Sequence, residues 1–379
     1  MPFITKNEIK AVAYLVGITI GAGVLALPYV FAQTGFVIGV LELLFVWLIV
    51  TLLTLYLAEV VLRTKKDYEV AGLTRKYLGK KWELTIVIVS VLYIYGALLA
   101  YGLGLGEALH SLFGLNNIFS SVVTFLFLSA IVYFGLEAVT KAELLLTPFI
   151  FLIIFAILFS AYDKINVINY ASINIKNGFL PFGPLFFALL GFWCVPDMKK
   201  IAGNRKSLKK TVIIGIAITA FSYLLFTAVV VGVTGAETSK LFSISLSSYT
   251  NGYTAILLHL FTVFAIITSF LALGFTLKAI LKIDYKFSNM KAWLCTFVIP
   301  FILLFFVKGS FIDVITVVGA GASVFVIFIL ILMFYKAKQK SERKPEFNLP
   351  IPKAVNALIV LFCIIIALYT IWVYGARLI

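Results

Sequence analysis

The sequence predicts an all-α membrane protein: eleven transmembrane helices, forming two inverted five-helix halves and one extra helix, with helices 1 and 6 broken. Three observations carry this expectation. Of 379 residues, 63% are hydrophobic and only 12% are charged, against about a quarter charged in a soluble domain. Apolar stretches of about 20 residues, each long enough for about 30 Å of hydrocarbon, fill the chain. Two of them are interrupted by Gly and Pro where a continuous helix is otherwise expected.

The spans fall at about 8–32, 36–61, 83–111, 117–136, 142–161, 180–200, 211–234, 253–281, 291–307, 311–335 and 354–376. The connections are short, so the chain reads as one transmembrane unit. Repeat 1 covers about 8–161, repeat 2 about 180–335, and the extra helix about 354–376. Span 1 lacks the compact cleavable pattern of a signal peptide and is expected to stay in the mature protein. The formal net charge is +15, but its distribution argues against a nucleic-acid partner. With eleven spans the loops alternate sides. Lys164, Lys176, Lys240, Lys308 and Arg377 fall on one side, and the other 26 of 31 basic residues fall opposite. That bias puts the N-terminus in the cytoplasm and the C-terminus outside. The lipid bilayer is the expected partner, and no signal sets an oligomeric state.

Span 1 contains Gly17-Ile18-Thr19-Ile20-Gly21-Ala22-Gly23-Val24-Leu25-Ala26-Leu27-Pro28. Hydrocarbon offers no water to loose backbone groups, so three glycines and a proline in one span need a reason. They let the helix unwind near the bilayer centre. Unwinding frees N–H groups that suit a carboxylate and C=O groups that suit an amine or a metal cation. The expected ligand is a small molecule, an amino acid. Its carboxylate would meet Gly21, Ala22 and Gly23, and its amine the carbonyl of Thr19 or Ile20. The competing reading is that Gly17-x-x-x-Gly21 only lets two helices pack closely.

Span 2 carries Glu42, and Glu59 beside Arg63, which reads as a structural pair. Residues 67–78 read as a short amphipathic helix. Span 3 brings Tyr93, Tyr95 and Tyr101, with Tyr95 taken as a substrate contact. Its stripe of Gly96, Ala100 and Gly104 reads as a packing face. Glu107, followed by His110, is a candidate proton site or outer-gate residue; its competing reading is a snorkelling acid.

Span 6 repeats the interruption of span 1 five spans later, at Leu189-Leu190-Gly191-Phe192-Trp193-Cys194-Val195-Pro196. Matching breaks in two halves point to a transporter's site, and an odd number of spans per half makes the halves inverted. The carbonyl of Leu189 or Leu190 is assigned to the substrate's amine, and Gly191 is taken as a substrate contact at the break. Phe187, Phe192 and Trp193 are assigned to its side chain. Residues 235–252 are read as a loop with a short cap. In span 8, Thr268 and Ser269 would supply oxygens to Na⁺ if sodium is the coupling ion. Their competing reading is back-bonding to their own helix. His259 is a second proton-site candidate. Residues 336–353 read as a solvated linker. Cys194, Cys295 and Cys363 show no metal or disulfide spacing. No Walker A, HExxH or GxSxG pattern is present. The chain is therefore not read as an enzyme, and uphill transport would draw on an ion gradient.

Together, "GITIGAGVLALP" at 17–28 with Gln33-Thr34-Gly35-Phe36, "RKYLGKKW" at 75–82, "GLGEALHSL" at 104–112, Ile267-Thr268-Ser269-Phe270-Leu271 and the stretch before Val195-Pro196 resemble the aromatic and hydroxy amino acid permeases. These tyrosine/tryptophan permease-like proteins are a branch of the amino acid/auxin permease and amino acid–polyamine–organocation group. The resemblance implies a LeuT-type 5+5 inverted repeat with an eleventh helix. It implies import of a neutral, aromatic or other hydrophobic L-amino acid across the plasma membrane by cation symport. Na⁺ or H⁺ would be the coupling ion, with no other cofactor. An exchanger, an exporter or a non-transporting sensor on the same fold is the alternative. Relatives often place a histidine where this chain has Trp193 and Cys194, so side-chain preference does not carry over.

Overall fold

The computed structural model describes residues 5–135, 152, 155–156, 159–250, 252–283, 285–375 and 378. Most of the expected fifth span, 142–161, lies outside the described residues. Among the described residues the fold is helical, with no strand.

Span 1 is two helices, α1 (Lys6–Thr19) and α2 (Leu27–Thr34), separated by a 3₁₀ turn at Ala22–Ala26. The two arms are bent by 51°. A capping box between Thr5 and Glu8 starts α1, and Pro28 sits at the start of α2, where its missing N–H does no harm. Gly35, at φ 99°, turns the chain sharply into α3 (Phe36–Arg63). The outer loop lies so close there that a Cβ on Gly35 would stand 2.2 Å from the Ser172 carbonyl. The amphipathic helix α4 (Val70–Leu78) follows and buries Val70, Leu73 and Tyr77. Then come α5 (Lys80–Phe113) and α6 (Asn117–Phe134).

Beyond the fifth span, three short 3₁₀ turns lead to the second break. Here α7 (Phe182–Leu189) and α8 (Val195–Ala202) flank Leu190, Gly191 and a turn at Phe192–Cys194, and Pro196 opens α8 as Pro28 opens α2. The rest is α9 (Leu208–Thr234), the short cap α10 (Phe242–Ser247), α11 (Gly252–Ile283), α12 (Asn289–Leu303), α13 (Phe311–Gln339) and α14 (Lys353–Gly375). Among the described residues, seven helices are long and apolar enough to cross a membrane; the bent α1/α2 pair passes the same test as one unit. This is a multi-pass membrane protein. Helix α12, with Pro300 inside it, is shorter than those seven.

Glycines set the closest approaches. The span 3 stripe packs as expected: a Cβ on Gly96 would meet Val318 of α13, and one on Gly104 would meet Ile266 of α11 and Phe311 of α13. A tighter crossing, not anticipated, joins α7 to α13. A Cβ on Gly183 would lie 2.1 Å from the Thr316 carbonyl, and one on Gly319 would lie 2.1 Å from the Gly183 carbonyl. The start of α7, the helix that leads into the second break, is thus pressed against α13. On the basic face, Glu59 is fully buried and held by Arg63 at 2.8 Å and by the Leu349 N–H at 2.8 Å. It has the structural role expected of it.

Candidate functional site

The two breaks face each other. A Cβ added to Gly191 would strike the Thr19 hydroxyl at 2.2 Å, and one added to Gly23 would strike Ala188 Cα at 2.7 Å. Gly17, by contrast, has nothing within 4 Å of its Cβ position, so the close-packing reading does not hold for it.

A helix end leaves its last carbonyls without partners, and here the sequence supplies them from outside. In α7, Phe186 O accepts from Leu190 N–H at 3.1 Å and Leu189 O accepts from Gly191 N–H at 2.7 Å. Phe187 O accepts from the Tyr93 hydroxyl at 3.2 Å, and Ala188 O from the Tyr223 hydroxyl at 3.0 Å. The same Tyr223 hydroxyl reaches Thr19 O, at the end of α1, at 2.7 Å. Tyr223 is almost wholly buried. It therefore joins the C-terminal ends of two helices whose dipoles both point their negative ends at it. The carbonyls of Ile20 and Leu190 accept no hydrogen bond among the described residues.

On the N–H side of break 1, the Ala22 N–H donates to Ser269 Oγ at 2.8 Å. The Gly21 and Gly23 N–H groups have no acceptor among the described residues. Ser269 lies so close that a Cβ on Gly21 would be 2.4 Å from its Oγ. Thr268 is turned back on its own helix, donating to Phe264 O and Ala265 O at 3.1 Å each.

The aromatic residues divide. Phe187 lies 5.1 Å from Tyr93 and 6.3 Å from Tyr101, centroid to centroid. Phe192 and Trp193 lie against each other at 4.5 Å, with Phe192 buried and Trp193 partly exposed. The structure does not bring the Tyr95 hydroxyl to the break: it donates to Cys295 O on α12. Helical spacing explains this, since Tyr93 and Tyr95 are about 200° apart on one helix. Glu107 lies well away, near the start of α13 and the Lys240–Asp313 pair. His259 is buried, and its Nδ1 has no partner among the described residues.

The basic-face ends of the breaks are tied together. Lys199 of α8 pairs with Asp67, and Lys200 reaches Asp197 at 2.8 Å and Glu69 at 3.2 Å. Tyr14 of α1 donates to Asp197 at 3.3 Å. The Lys199 ammonium, hydrogen-bonded to Asp67, holds that loop carboxyl below its usual range.

The two facing helix breaks thus set unpaired backbone N–H groups on one side and unpaired carbonyls on the other. The chain also matches the tryptophan/tyrosine permease family over residues 5–370. It belongs to that family. Two similar members are "Glutamine transporter 2" of Aliivibrio fischeri, 26% identical over 89% of this chain and 91% of that one, and "Tyrosine-specific transport system 1" of Haemophilus influenzae, 25% identical over 91% and 90%. "Tyrosine-specific transport system 2" of the latter organism is 28% identical over 58% of this chain. For this permease, sequence reasoning did not find Tyr223 and passed over Tyr93 in favour of Tyr95. The available signal was a tyrosine hydroxyl midway along an apolar span, where it must find a partner.

Proposed function

We propose that this permease imports a neutral amino acid by cation symport, on a LeuT-type 5+5 inverted repeat with an eleventh helix. The single observation that carries the reading is the opposition of the two breaks across the Tyr223 hydroxyl. The substrate carboxylate meets the Gly21 and Gly23 N–H groups, with Ala22 held by Ser269. The ammonium meets the carbonyls of Ile20 and Leu190, next to those that Tyr223 caps. Phe187, Tyr93 and Tyr101 supply an aromatic wall, with Phe192 and Trp193 at the edge of the second break, and they favour a hydrophobic or aromatic side chain. The names of the relatives, one for glutamine and two for tyrosine, support an amino acid substrate and fit a recognition core made of backbone. If sodium is the ion, Thr268 and Ser269 complete its oxygen shell. If it is a proton, a carboxyl or imidazole in the spans takes it, with Glu107 and His259 as the sequence-level candidates. The N-terminus is placed in the cytoplasm by the basic loops.

The test is uptake into proteoliposomes of a panel of radiolabelled amino acids, under separate Na⁺ and H⁺ gradients. Saturable, gradient-driven accumulation of a neutral amino acid is expected. Equal competition by an amine lacking the carboxylate would refute the carboxylate site.

A further inference from the structure

Among the acids in the described helices, Glu42 stands out for having nothing to balance it. Glu59 has Arg63, Asp313 has Lys240, Asp197 has Lys200, Glu83 has Arg75, and Glu8 has Lys210. Glu107 stands near the Lys240–Asp313 pair. The Glu42 Oε2 atom is buried with no hydrogen-bond partner among the described residues.

Its place in the fold is a seam. Glu42 lies one turn from Phe45, whose ring meets Phe362 of α14 at 4.9 Å. Further along the same face of α3, Tyr56 donates to Asn356 of α14 at 2.7 Å. The flanking Leu43, Val46 and Ile49 are buried. Titratable groups on the packed elements are engaged or neutral. Tyr369 donates to Lys176 O, Tyr223 holds the breaks, Asp313 is paired with Lys240, and Cys363 is a buried thiol on α14. Tyr29 stands on α2, and Asp197, Lys199 and Lys200 of α8 belong to the basic-face ties.

A lone carboxyl in an apolar span is expensive and is retained where something uses it. We propose that Glu42, with its buried partnerless oxygen, is the residue that takes up and releases the driving proton, rather than Glu107, which stands beside the Lys240–Asp313 pair. One O–H bond forms when the proton enters from the outer side and breaks when it leaves on the inner side. No other bond changes. The inference rests on the reading of ion-coupled import.

The test uses the purified full chain in proteoliposomes with an internal pH dye. It measures substrate counterflow, proton influx, and accumulation under an inward proton gradient. A one-unit gradient drives a one-to-one symporter to about tenfold accumulation. Wild type is expected to approach that value, and Glu42→Asp to retain proton influx with a displaced pH profile. Glu42→Gln is expected to show neither influx nor accumulation while still catalysing counterflow. Full accumulation by Glu42→Gln with an unchanged pH profile would overturn the proposal. So would wild-type uptake that needs Na⁺ and carries no proton, which leaves the transport reading standing. Absence of counterflow in wild type would remove both. Should the variants not fold, carbodiimide labelling of wild type decides. Modification at Glu42 that rises as pH falls and abolishes proton influx supports the proposal; an unmodified Glu42 refutes it.

Discussion

Replacing Gly23 by alanine puts a methyl group where the structure has no room. The new Cβ would stand 2.7 Å from Ala188 Cα and 2.8 Å from Ala188 Cβ. The obstacle is largely backbone, so no side-chain rotation relieves it. The breaks must separate, and overpacking of this kind costs about 1–3 kcal/mol. If that strain falls on the bound state, affinity drops by roughly 5- to 150-fold, at about 1.4 kcal/mol per decade. Gly17→Ala is the matched control. Its Cβ meets nothing within 4 Å, and alanine favours a helix by about 0.8–1 kcal/mol over glycine. The assay is equilibrium binding of the best substrate to purified protein, with thermal unfolding beside it. Gly17→Ala should bind like wild type, and Gly23→Ala should lose at least fivefold by the estimate above. Equal tolerance at both positions would refute the claim that the breaks are held at backbone contact.

Tyr223→Phe leaves two helix-end carbonyls without their donor, a loss of about 1–3 kcal/mol. A lowered unfolding temperature with weaker substrate binding is expected, and an unchanged protein would show that the hydroxyl joins nothing. Removing both hydroxyls at Thr268 and Ser269 should raise the Na⁺ requirement if sodium couples. If a proton couples, Ser269→Ala alone should weaken binding by freeing the Ala22 N–H, and uptake measured against Na⁺ concentration separates the cases. Asp67, its folded pKa lowered by Lys199, contributes stability that is present above its unfolded value of about 3.9 and is lost as pH falls through the folded one. The stability difference between wild type and Asp67→Asn should therefore be constant near neutrality and vanish in acid. A difference that grows on acidification would contradict the pairing. Substrate esters should compete poorly for uptake, since the Gly21 and Gly23 N–H groups recognise a charged carboxylate; equal competition would count against that site.

Much of the fold was legible because hydrocarbon imposes a simple rule on long apolar segments. The helices α3, α5, α9, α11, α13 and α14 begin and end within a few residues of the expected limits. Both breaks were readable, since Gly21, Gly23, Gly191, Pro28 and Pro196 are costly in a straight helix. What the sequence could not convey was which elements come together. The Thr19–Gly191 contact, the α7–α13 crossing at Gly183 and Gly319, and the double reach of Tyr223 all join residues far apart in the chain. Tyr95 failed for a different reason: three tyrosines on one span were equally eligible until the helix had a rotation. Glu107 and Glu42 looked alike in sequence, each a carboxyl near a helix end. Only packing separates the one beside the Lys240–Asp313 pair from the one whose buried oxygen has no partner among the described residues.

The hydroxyl of Tyr223 has one hydrogen and stands within reach of two carbonyls. At any instant one of them is served well and the other poorly, so the junction is one hydrogen short. A primary ammonium brings three. On the proposed reading, an ammonium on the neighbouring Ile20 and Leu190 carbonyls supplies hydrogens that tyrosine cannot, and both half-helices gain by closing on it. A trimethylated amine brings the same charge and no hydrogen at all. On that reading the junction would separate amino acids from betaines by counting hydrogens, whatever the size of the pocket around their side chains.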